Sequence, residues 1–242
     1  MVKVDKLDVC YSDGHQVLKE ISFQIKEGEI VGLVGTNGAG KSTLIKTLVG
    51  VLLPEKGSID IEGILLTKKN VRMVREKIGV VFQNPEDQLF MSDVFDDIAF
   101  GPRNMGIPES EIEEKIVKTL KDLGIERLLH HNSLRLSGGE QRLVALATVM
   151  VMEPKLVLFD EPTSFLDPKT RRRLMKLLKE LRVTKLIATH DLDMALELCD
   201  RVIILKEGSI FAEGKAKELL SNKELMEQAD LELPFCLQNI NI

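Results

Sequence analysis

The chain has 242 residues, of which 44% are hydrophobic, so it can fold around one sizeable core with an attached lobe. Its net charge of −5 gives no electrostatic basis for non-specific nucleic-acid binding. No apolar run approaches the roughly 20 residues that span a bilayer, and the three cysteines follow no disulfide or zinc-binding spacing. These features predict a protein that is soluble by itself, in a reducing cytosolic compartment.

The N-terminal part predicts strands followed by a phosphate-binding loop. Residues 1–30 are predicted to form short strands with turns at 12–14 and 27–28. The apolar stretch 29–34 predicts a buried strand, and residues 42–49 predict the first turns of a helix. The glycine-rich loop between them fits G-x-x-x-x-G-K-[ST], the P-loop pattern, in the strand–loop–helix context that this motif requires. The predicted ligand is therefore a nucleoside triphosphate with Mg²⁺.

Each residue of this loop, and the one after it, is a predicted nucleotide-binding residue. They are Gly35, Thr36, Asn37, Gly38, Ala39, Gly40, Lys41, Ser42 and Thr43. Glycines let the main chain approach the ligand, so that N–H groups and the positive end of the following helix converge on the phosphates. We expect Lys41 to reach the β- and γ-phosphates, Ser42 to offer a hydroxyl to Mg²⁺, and Thr43 to donate to the α-phosphate.

The middle of the chain changes character at Gln83. Before it, residues 51–66 predict short strands, residues 71–77 a short helix and residues 78–82 a buried strand. After it, residues 84–150 contain loops and helices but no convincing strand. Ser110 and Glu113 form a candidate capping box, followed by an apolar helical face. The residues of that face are Ile112, Ile116, Val117, Leu120 and Leu123.

The C-terminal third returns to alternating strands and helices. Strands are predicted at 156–159 and 185–189, helices at 169–182 and 191–198, then a hairpin around 207–208 and a helical segment at 215–231. A helical insert therefore interrupts a parallel-sheet core.

Two acids, Asp160 and Glu161, follow the strand at 156–159 directly. The carboxyl ends of parallel strands are where such sheets bind ligands, and a P-loop protein needs a second partner for Mg²⁺ there. We expect Asp160 to bind the metal and Glu161 to polarise the attacking water. Taken alone, a strand-end acid could equally cap the next helix.

A second motif gives the chain its family resemblance. Residues 136–142 read Leu-Ser-Gly-Gly-Glu-Gln-Arg, which matches the signature sequence LSGGQ with Glu140 in place of Gln. The chain thus resembles the nucleotide-binding subunit of an ATP-binding-cassette (ABC) transporter. Tyr11 before a turn, Gln83 after a strand, residues 164–167 and His190 match further family motifs in the family's order.

The resemblance implies a fold and a domain division. The fold is α/β: a P-loop NTPase (RecA-like) parallel-sheet core with an N-terminal antiparallel β subdomain and an inserted α-helical subdomain. Within one ABC ATPase domain, 1–242, residues 1–83 and 151–214 make the core and β subdomain, 84–150 the helical subdomain with the signature, and 215–242 a helical tail.

The resemblance also implies residue roles. Tyr11 stacks on adenine, Gln83 contacts Mg²⁺ or the attacking water, and His190 bonds the γ-phosphate. A second group binds ATP held by the opposite subunit, so that one chain cannot complete its own site: Ser137, Gly138, Gly139, Glu140 and Asp167. We expect Glu140 to be tolerated, because Ser137 and the neighbouring amides do most of the phosphate binding.

Within the family, residues 82–90, 97–106 and 148–154 resemble the ATPases of energy-coupling-factor (ECF) transporters, importers of cobalt, nickel and vitamins. This implies three partners: a second ATPase subunit (identical or a paralogue), a transmembrane scaffold and a solute-binding membrane subunit, with no nucleic acid. The chain would then lie peripherally on the cytoplasmic face of the cell membrane. A groove for the scaffold's coupling helix would be lined by Leu89, Phe90, Met91, Val94 and Phe95. Core packing is the alternative for these residues, and we expect a mixture.

Three other function classes compete with a transport ATPase. A soluble ABC ATPase of DNA maintenance would need a coiled coil between Lys41 and Ser137, where the sequence has neither the room nor a heptad run. A nucleotide kinase would leave the signature unexplained. A non-catalytic binding module would not need Glu161.

Overall fold

The computed structural model describes residues 1–238 of the chain. Ten strands lie in this range: β1 (Val2–Cys10), β2 (Gln16–Ile25), β3 (Ile30–Gly35), β4 (Lys56–Ile61), β5 (Ile64–Leu65), β6 (Ile78–Val81), β7 (Leu156–Asp160), β8 (Thr184–Thr189), β9 (Arg201–Lys206) and β10 (Ser209–Lys215). Nine α-helices lie in the same range: α1 (Lys41–Leu48), α2 (Val71–Arg75), α3 (Val94–Asn104), α4 (Glu109–Asp122), α5 (Gly138–Met150), α6 (Pro168–Glu180), α7 (Leu192–Leu198), α8 (Ala216–Leu220) and α9 (Lys223–Gln228).

A six-stranded sheet forms the centre of the molecule, in the order β10-β9-β3-β8-β7-β6. The strands from β9 to β6 are parallel, and β10 returns antiparallel to β9 in the predicted hairpin. Every residue of β3 and β8 is buried, which is why these strands read as nearly continuous apolar runs. The carboxyl ends of β3, β8, β7 and β6 consequently meet at one edge, where such sheets bind ligands.

The second sheet is antiparallel, in the order β2-β1-β4-β5. Strand β1 alternates buried and exposed residues, as Val2, Lys3 and Val4 show, because only one face of this sheet is covered. Its apolar face shares a core with α1 and one face of the main sheet. The predicted fold class, a P-loop core with an N-terminal antiparallel sheet and a helical insert, is confirmed.

The segment between β6 and β7 contains α3, α4 and α5 and, among its residues, no strand. Most of the predicted apolar face of α4 is buried, but Val117 is exposed, because it lies about 100° around the helix from Ile116. The predicted capping box at Ser110 was also wrong. Helix α4 instead begins at Glu109. The residue before it, Pro108, has an extended backbone (φ −61°, ψ 142°) and provides no side-chain cap.

The C-terminal segment contains α8, α9 and a short 3₁₀ turn at Phe235–Leu237. The predicted helix over 215–231 is therefore two short helices, separated where Asn222 caps α9. Residues 239–242, the end of the predicted tail, lie outside the described residues. Across the part that the structure describes, no helix has the length and hydropathy of a membrane span.

Candidate functional site

The sheet register brings four predicted motifs to one edge. Val81 pairs with Phe159, Asp160 pairs with Ala188, and Val34 pairs with Thr189. The residues that follow these pairs are Gln83, Glu161, His190 and the P-loop. They therefore leave adjacent strands on the same side of the sheet, in the order P-loop, His190, Glu161, Gln83.

The P-loop joins β3 to α1 by a turn that only glycine fits. Gly40 has φ 107°, and a Cβ there would lie 2.7 Å from Cδ2 of Leu18. Gly40 is also the residue before α1 and supplies no side-chain cap. The N-cap residue therefore offers no side-chain acceptor to the first N–H groups of α1. These groups lie at the positive end of the helix, which is an anion site.

Lys41 lies over this loop rather than in solvent. Its side chain is 8% exposed, and Nζ donates to the carbonyl oxygens of Gly35 at 2.7 Å and Thr36 at 3.1 Å. Burial lowers the pKa of Lys41, while the nearby carboxylates of Glu161 and Asp160 act in the opposite direction. The ammonium is held where the loop amides converge.

Tyr11 reaches the same region from the antiparallel sheet. Its hydroxyl lies 2.7 Å from Oγ1 of Thr43, in the first turn of α1. The side chain remains 38% exposed. The structure thus joins Tyr11 to the P-loop helix across 32 residues of sequence.

The predicted metal ligands, Ser42, Gln83 and Asp160, all offer oxygen donors. Burial raises the pKa of Asp160, and a hydrogen bond with the Ser42 side chain partly offsets it. Gln83 follows the neighbouring strand, β6, and is half-buried. Among the described residues no group of three His, Cys, Asp or Glu could hold a metal. This donor set suits Mg²⁺, which prefers oxygen ligands and commonly takes one or two carboxylates with the rest from phosphates and water.

Glu161 and His190 are paired directly. Glu161 is 7% exposed and has a left-handed backbone with φ 48°, a strained conformation typical of functional sites. Its Oε1 accepts the backbone N–H of His190 at 3.0 Å and lies 2.8 Å from His190 Nδ1, and its Oε2 accepts the Thr189 hydroxyl at 3.0 Å. The carboxylate is therefore fixed by two hydrogen-bond donors and lies in contact with His190 Nδ1, while the His190 side chain is mostly exposed.

Thr189 is a site residue that sequence reasoning missed. It is fully buried at the end of β8, and its hydroxyl also accepts the backbone N–H of Asp191 at 2.9 Å. The available signal was a hydroxyl at the end of an otherwise apolar strand, directly before His190.

The signature segment lies on the helical insert. Ser137 caps α5 and forms a capping box with Glu140, whose Oε2 accepts from the Ser137 N–H at 3.0 Å and hydroxyl at 2.7 Å. A Cβ at Gly138 would meet nothing within 4 Å, whereas one at Gly139 would lie 2.6 Å from Thr170 Cγ2. Ser137 and Gly138 are exposed. This segment packs with α5 on α3, α4 and β6, whereas α1 packs on β2, β3 and β7.

Asp167 caps α6. Its carboxylate accepts the N–H groups of Lys169 at 3.0 Å and Thr170 at 3.1 Å. A hydrogen bond with the Thr170 side chain, together with these backbone bonds, lowers the pKa of Asp167. Two residues earlier, Phe165 has a left-handed backbone (φ 63°) and is 89% exposed. Asp167 thus has a structural role within the chain, and its loop points outward.

The sequence model described as ABC transporter matches residues 18–164, more than half of the chain. The chain belongs to the ABC transporter family. It is 43% identical to the energy-coupling factor transporter ATP-binding protein EcfA2 of Clostridium perfringens, over 97% of this chain and 84% of that protein.

Solved structures of ABC ATPases share this fold. CbiO1 of Clostridium perfringens, part of the ABC transporter complex cbiONQ, covers 100% of this chain and 98% of its own, with a TM-score of 0.86 and 42% identity. The dimeric ATP-binding cassette MJ0796, in a post-hydrolysis state with ADP and Pi, covers 90% of this chain and 99% of its own, with a TM-score of 0.79 and 31% identity.

Arg142 is a second residue that sequence reasoning missed in this ABC ATPase. It is only 3% exposed, and its guanidinium donates to the carbonyls of Phe82 (2.9 Å), Gln83 (2.6 Å) and Ser164 (3.3 Å). Burial lowers its pKa. Arg142 ties the signature helix to the loop of Gln83 and to the loop before Asp167.

The predicted coupling groove of this ABC ATPase divides into buried and exposed residues. Leu89 and Val94 are buried in the core, Met91 and Phe95 are half-buried, and Phe90 is 58% exposed. The Phe90 ring packs edge-on against Phe100, with centroids 4.8 Å apart. The helical insert that follows β6 therefore carries an exposed aromatic pair, Phe90 and Phe100.

Proposed function

We propose that this ABC ATPase subunit hydrolyses ATP with Mg²⁺ and powers an ECF-type membrane importer of metal ions or vitamins through closure of an ATPase dimer. The observation that carries the proposal is the pairing of Glu161 with His190 at the sheet edge that also holds the P-loop. A buried carboxylate held by two hydrogen bonds beside a histidine, at the sheet edge that holds a phosphate-binding loop, suits the activation of water for phosphoryl transfer.

The chemistry within one chain follows from these positions. The P-loop amides and Lys41 bind and orient the triphosphate, and the Tyr11 ring is placed to stack on the base, which is typically worth about 1–3 kcal/mol. Ser42, Asp160 and Gln83 would hold Mg²⁺, which when bound neutralises charge on the phosphates. Glu161 accepts a hydrogen bond from the attacking water, and His190, fixed by Glu161, donates toward the γ-phosphate.

The proposal requires a second chain. The N–H groups of residues 138–140 and the Ser137 hydroxyl lie at an exposed helix N-terminus, an anion site on the helical subdomain, residues 84–150. We infer that this site, with the loop of Asp167, meets the γ-phosphate held by the partner. The dimeric structure of MJ0796 supports this arrangement. ATP would favour the closed dimer and hydrolysis would release it, so closure could perform work on a bound partner.

The membrane partner is inferred from the exposed aromatic surface. Phe90 and Phe100 form an exposed aromatic pair on the helical insert, and exposed apolar surface of this kind marks interaction sites. A coupling helix of a transmembrane scaffold fits it, which would hold the chain at the cytoplasmic face of the membrane, beside a solute-binding subunit. The similarity to EcfA2, an energy-coupling factor transporter ATP-binding protein, and to CbiO1, part of the ABC transporter complex cbiONQ, supports this choice.

The test combines catalysis, assembly and partner capture. The purified chain should hydrolyse ATP only with Mg²⁺, and Glu161→Gln should form an ATP-dependent dimer in gel filtration. A tagged chain expressed in its native cell should then retain a polytopic membrane protein after detergent extraction, and Phe90→Asp should reduce that retention. Recovery of soluble partners alone would overturn the transport role, and hydrolysis stimulated by DNA would favour a maintenance ATPase instead.

A further inference from the structure

We propose that Arg127 is a positioning residue that neutralises the Glu140 carboxylate and so allows a glutamate to stand in the signature beside the phosphates of ATP held by a partner chain. This inference rests on the proposed dimer. It gives a role to a residue outside every motif of the sequence analysis.

Both carboxylate oxygens of Glu140 have hydrogen-bond partners. Oε2 accepts from the N–H and the hydroxyl of Ser137, while Oε1 lies 2.5 Å from Nη2 of Arg127. Arg127 comes from the 3₁₀ turn Glu126–Leu128 that follows α4, so its place in the fold does not depend on the signature helix itself. The carboxylate is held between the phosphate-binding serine and an arginine.

The electrostatic reason lies in where Glu140 stands. It occupies the first turn of α5, close to the exposed N–H groups that are to receive the triphosphate. The hydrogen bonds from Ser137 and the contact with Arg127 lower the pKa of Glu140 to about 2, so the carboxylate stays ionised at neutral pH. An uncompensated negative charge there would repel the phosphates, whereas the pair with Arg127 has no net charge.

The other charged groups around this position do not replace Arg127. A cavity of about 200 Å³ behind the signature is lined by Glu140 and three arginines. Arg142 donates to backbone carbonyls, and Arg173 donates to the carbonyl of Gly124 at 3.0 Å. Among the described residues only Arg127 forms an ion pair with Glu140.

The pair also affects the serine. The Ser137 hydroxyl donates to Glu140, so it must turn away from the carboxylate in order to donate to a phosphate oxygen. Arg127 holds the carboxylate by its other oxygen and reduces its strength as a competing acceptor. Loss of Arg127 should therefore weaken dimer closure without altering ATP binding by the single chain.

The experiment is a double-mutant cycle in the hydrolysis-deficient Glu161→Gln background. Sedimentation equilibrium gives the ATP-dependent dimer constant for the parent, Arg127→Met, Glu140→Gln and the combined variant. Arg127→Met should weaken the dimer about tenfold or more, since two such sites close in each dimer. In the Glu140→Gln background the same change should matter less than about twofold. Arg173→Met, which removes a positive charge from the same cavity, is the matched control and should have no such dependence on Glu140.

The outcomes separate the inference from the proposed function. An ATP-dependent dimer that Arg127→Met leaves unchanged, or weakens equally with Glu140 and with Gln at that position, would overturn the inference alone. If Arg173→Met weakened the dimer as much as Arg127→Met, and only when Glu140 is present, the inference would also be overturned. Any positive charge in this cavity would then have the same effect as Arg127. Absence of any ATP-dependent dimer in the Glu161→Gln parent would overturn the dimer and the inference together. Equal ATP affinity of the single chains confirms that each variant is folded.

Discussion

Two helix N-termini with glycines at or just before their first turn present anion sites in this chain, and they differ in how complete they are. At α1 the P-loop is buried: Leu18 excludes any side chain at Gly40, and Lys41 already donates to the loop carbonyls. At α5 the signature is exposed, and Gly138 has open space where a Cβ would be. The first site has a lysine from its own helix, and its acids and histidine come from the ends of neighbouring strands of one sheet. The second has only its own helix and one carboxylate–arginine pair.

The difference shows that one chain contains two unlike halves of a site. The P-loop half is preorganised by packing, because the strands beside it place Glu161, Thr189 and His190 without outside help. The signature half faces outward. Contacts within the chain require a glycine only at Gly139 and not at Gly138. Changes in the first half should therefore affect chemistry, and changes in the second should affect assembly.

Glu161→Gln is expected to have the largest effect. The amide keeps the size of the side chain and one acceptor oxygen but cannot take a proton from water. Turnover should fall by about 10²- to 10⁴-fold, the usual value of a general base, while ATP affinity stays within about twofold and the dimer accumulates. Steady-state ATPase assays and equilibrium nucleotide binding measure these quantities. Hydrolysis at the wild-type rate would remove Glu161 from its assigned role.

Glu153→Gln is the matched control for this change. Glu153 also has a left-handed backbone, with φ 52°, but it lies before β7, at the opposite end of the strand from Glu161. The same substitution in the same backbone conformation should leave turnover unchanged. A loss at both positions would indicate a general effect of the substitution.

Arg142→Met tests the connection between the two halves. The methionine fills part of the space of the arginine's aliphatic chain, but the carbonyls of Phe82, Gln83 and Ser164 lose their hydrogen-bond donor. Leaving buried acceptors unsatisfied should lower the free energy of unfolding by about 2–4 kcal/mol. Hydrogen exchange should also become faster in residues 82–84 and 164–166. Arg135→Met, at an exposed arginine of the preceding turn, is the control. Unchanged exchange in those loops would show that Arg142 does not link them.

The two signature glycines separate packing from assembly. Gly139→Ala places a methyl group against Thr170 and should destabilise the single chain by about 1–3 kcal/mol, a loss that Thr170→Ser should partly reverse. Gly138→Ala has space, so stability should be unchanged or rise by up to about 1 kcal/mol through helix propensity. Even so, Gly138→Ala should weaken the ATP-dependent dimer, because its Cβ would stand where the partner's phosphates approach. Chemical denaturation and sedimentation measure the two effects, and a normal dimer with Gly138→Ala would contradict the outward-facing site.

The sequence predicted the sheet edge well because its signals are local. Buried parallel strands read as apolar runs, and the residue after each run falls at the same edge by topology alone. Asp160, Glu161 and His190 could therefore be placed from strand ends, although which side chains touch could not. The pairing of Glu161 with Thr189 depends on the lateral order of β7 and β8, which no local pattern encodes.

Features that depend on helix phase and on distant contacts were predicted less well. Val117 is one residue from Ile116, yet it faces solvent. The capping box expected at Ser110 does not form, because α4 already begins after Pro108. A capping box forms instead at the start of α5, between Ser137 and Glu140. Arg142 reads as the end of the signature, and its carbonyl partners lie about 20 and 60 residues away. Long-range contacts of this kind follow only from the packed structure.

The smallest expected effect concerns the charge of Glu140 in the single chain. Glutamine also suits the third position of a capping box, so Glu140→Gln should keep the helix start. The lowered pKa means that the folded chain binds a proton at this carboxyl less readily than the unfolded chain. Its charge therefore stabilises the fold above about pH 4.5, and that contribution is lost as the pH falls toward about 2. Since Arg127 is largely exposed, solvent screening limits the contribution to about 1 kcal/mol or less.

Urea unfolding of the parent and of Glu140→Gln, from about pH 7 to about pH 3, measures this difference. The stability difference should be constant above the ordinary glutamate pKa and should shrink below it. Glu111→Gln, at an exposed acid in the first turn of α4, corrects for the general effect of a first-turn charge. A difference that stays constant over the whole range would show that the Glu140 charge does not stabilise the signature, leaving its contact with Arg127 relevant to the closed dimer alone.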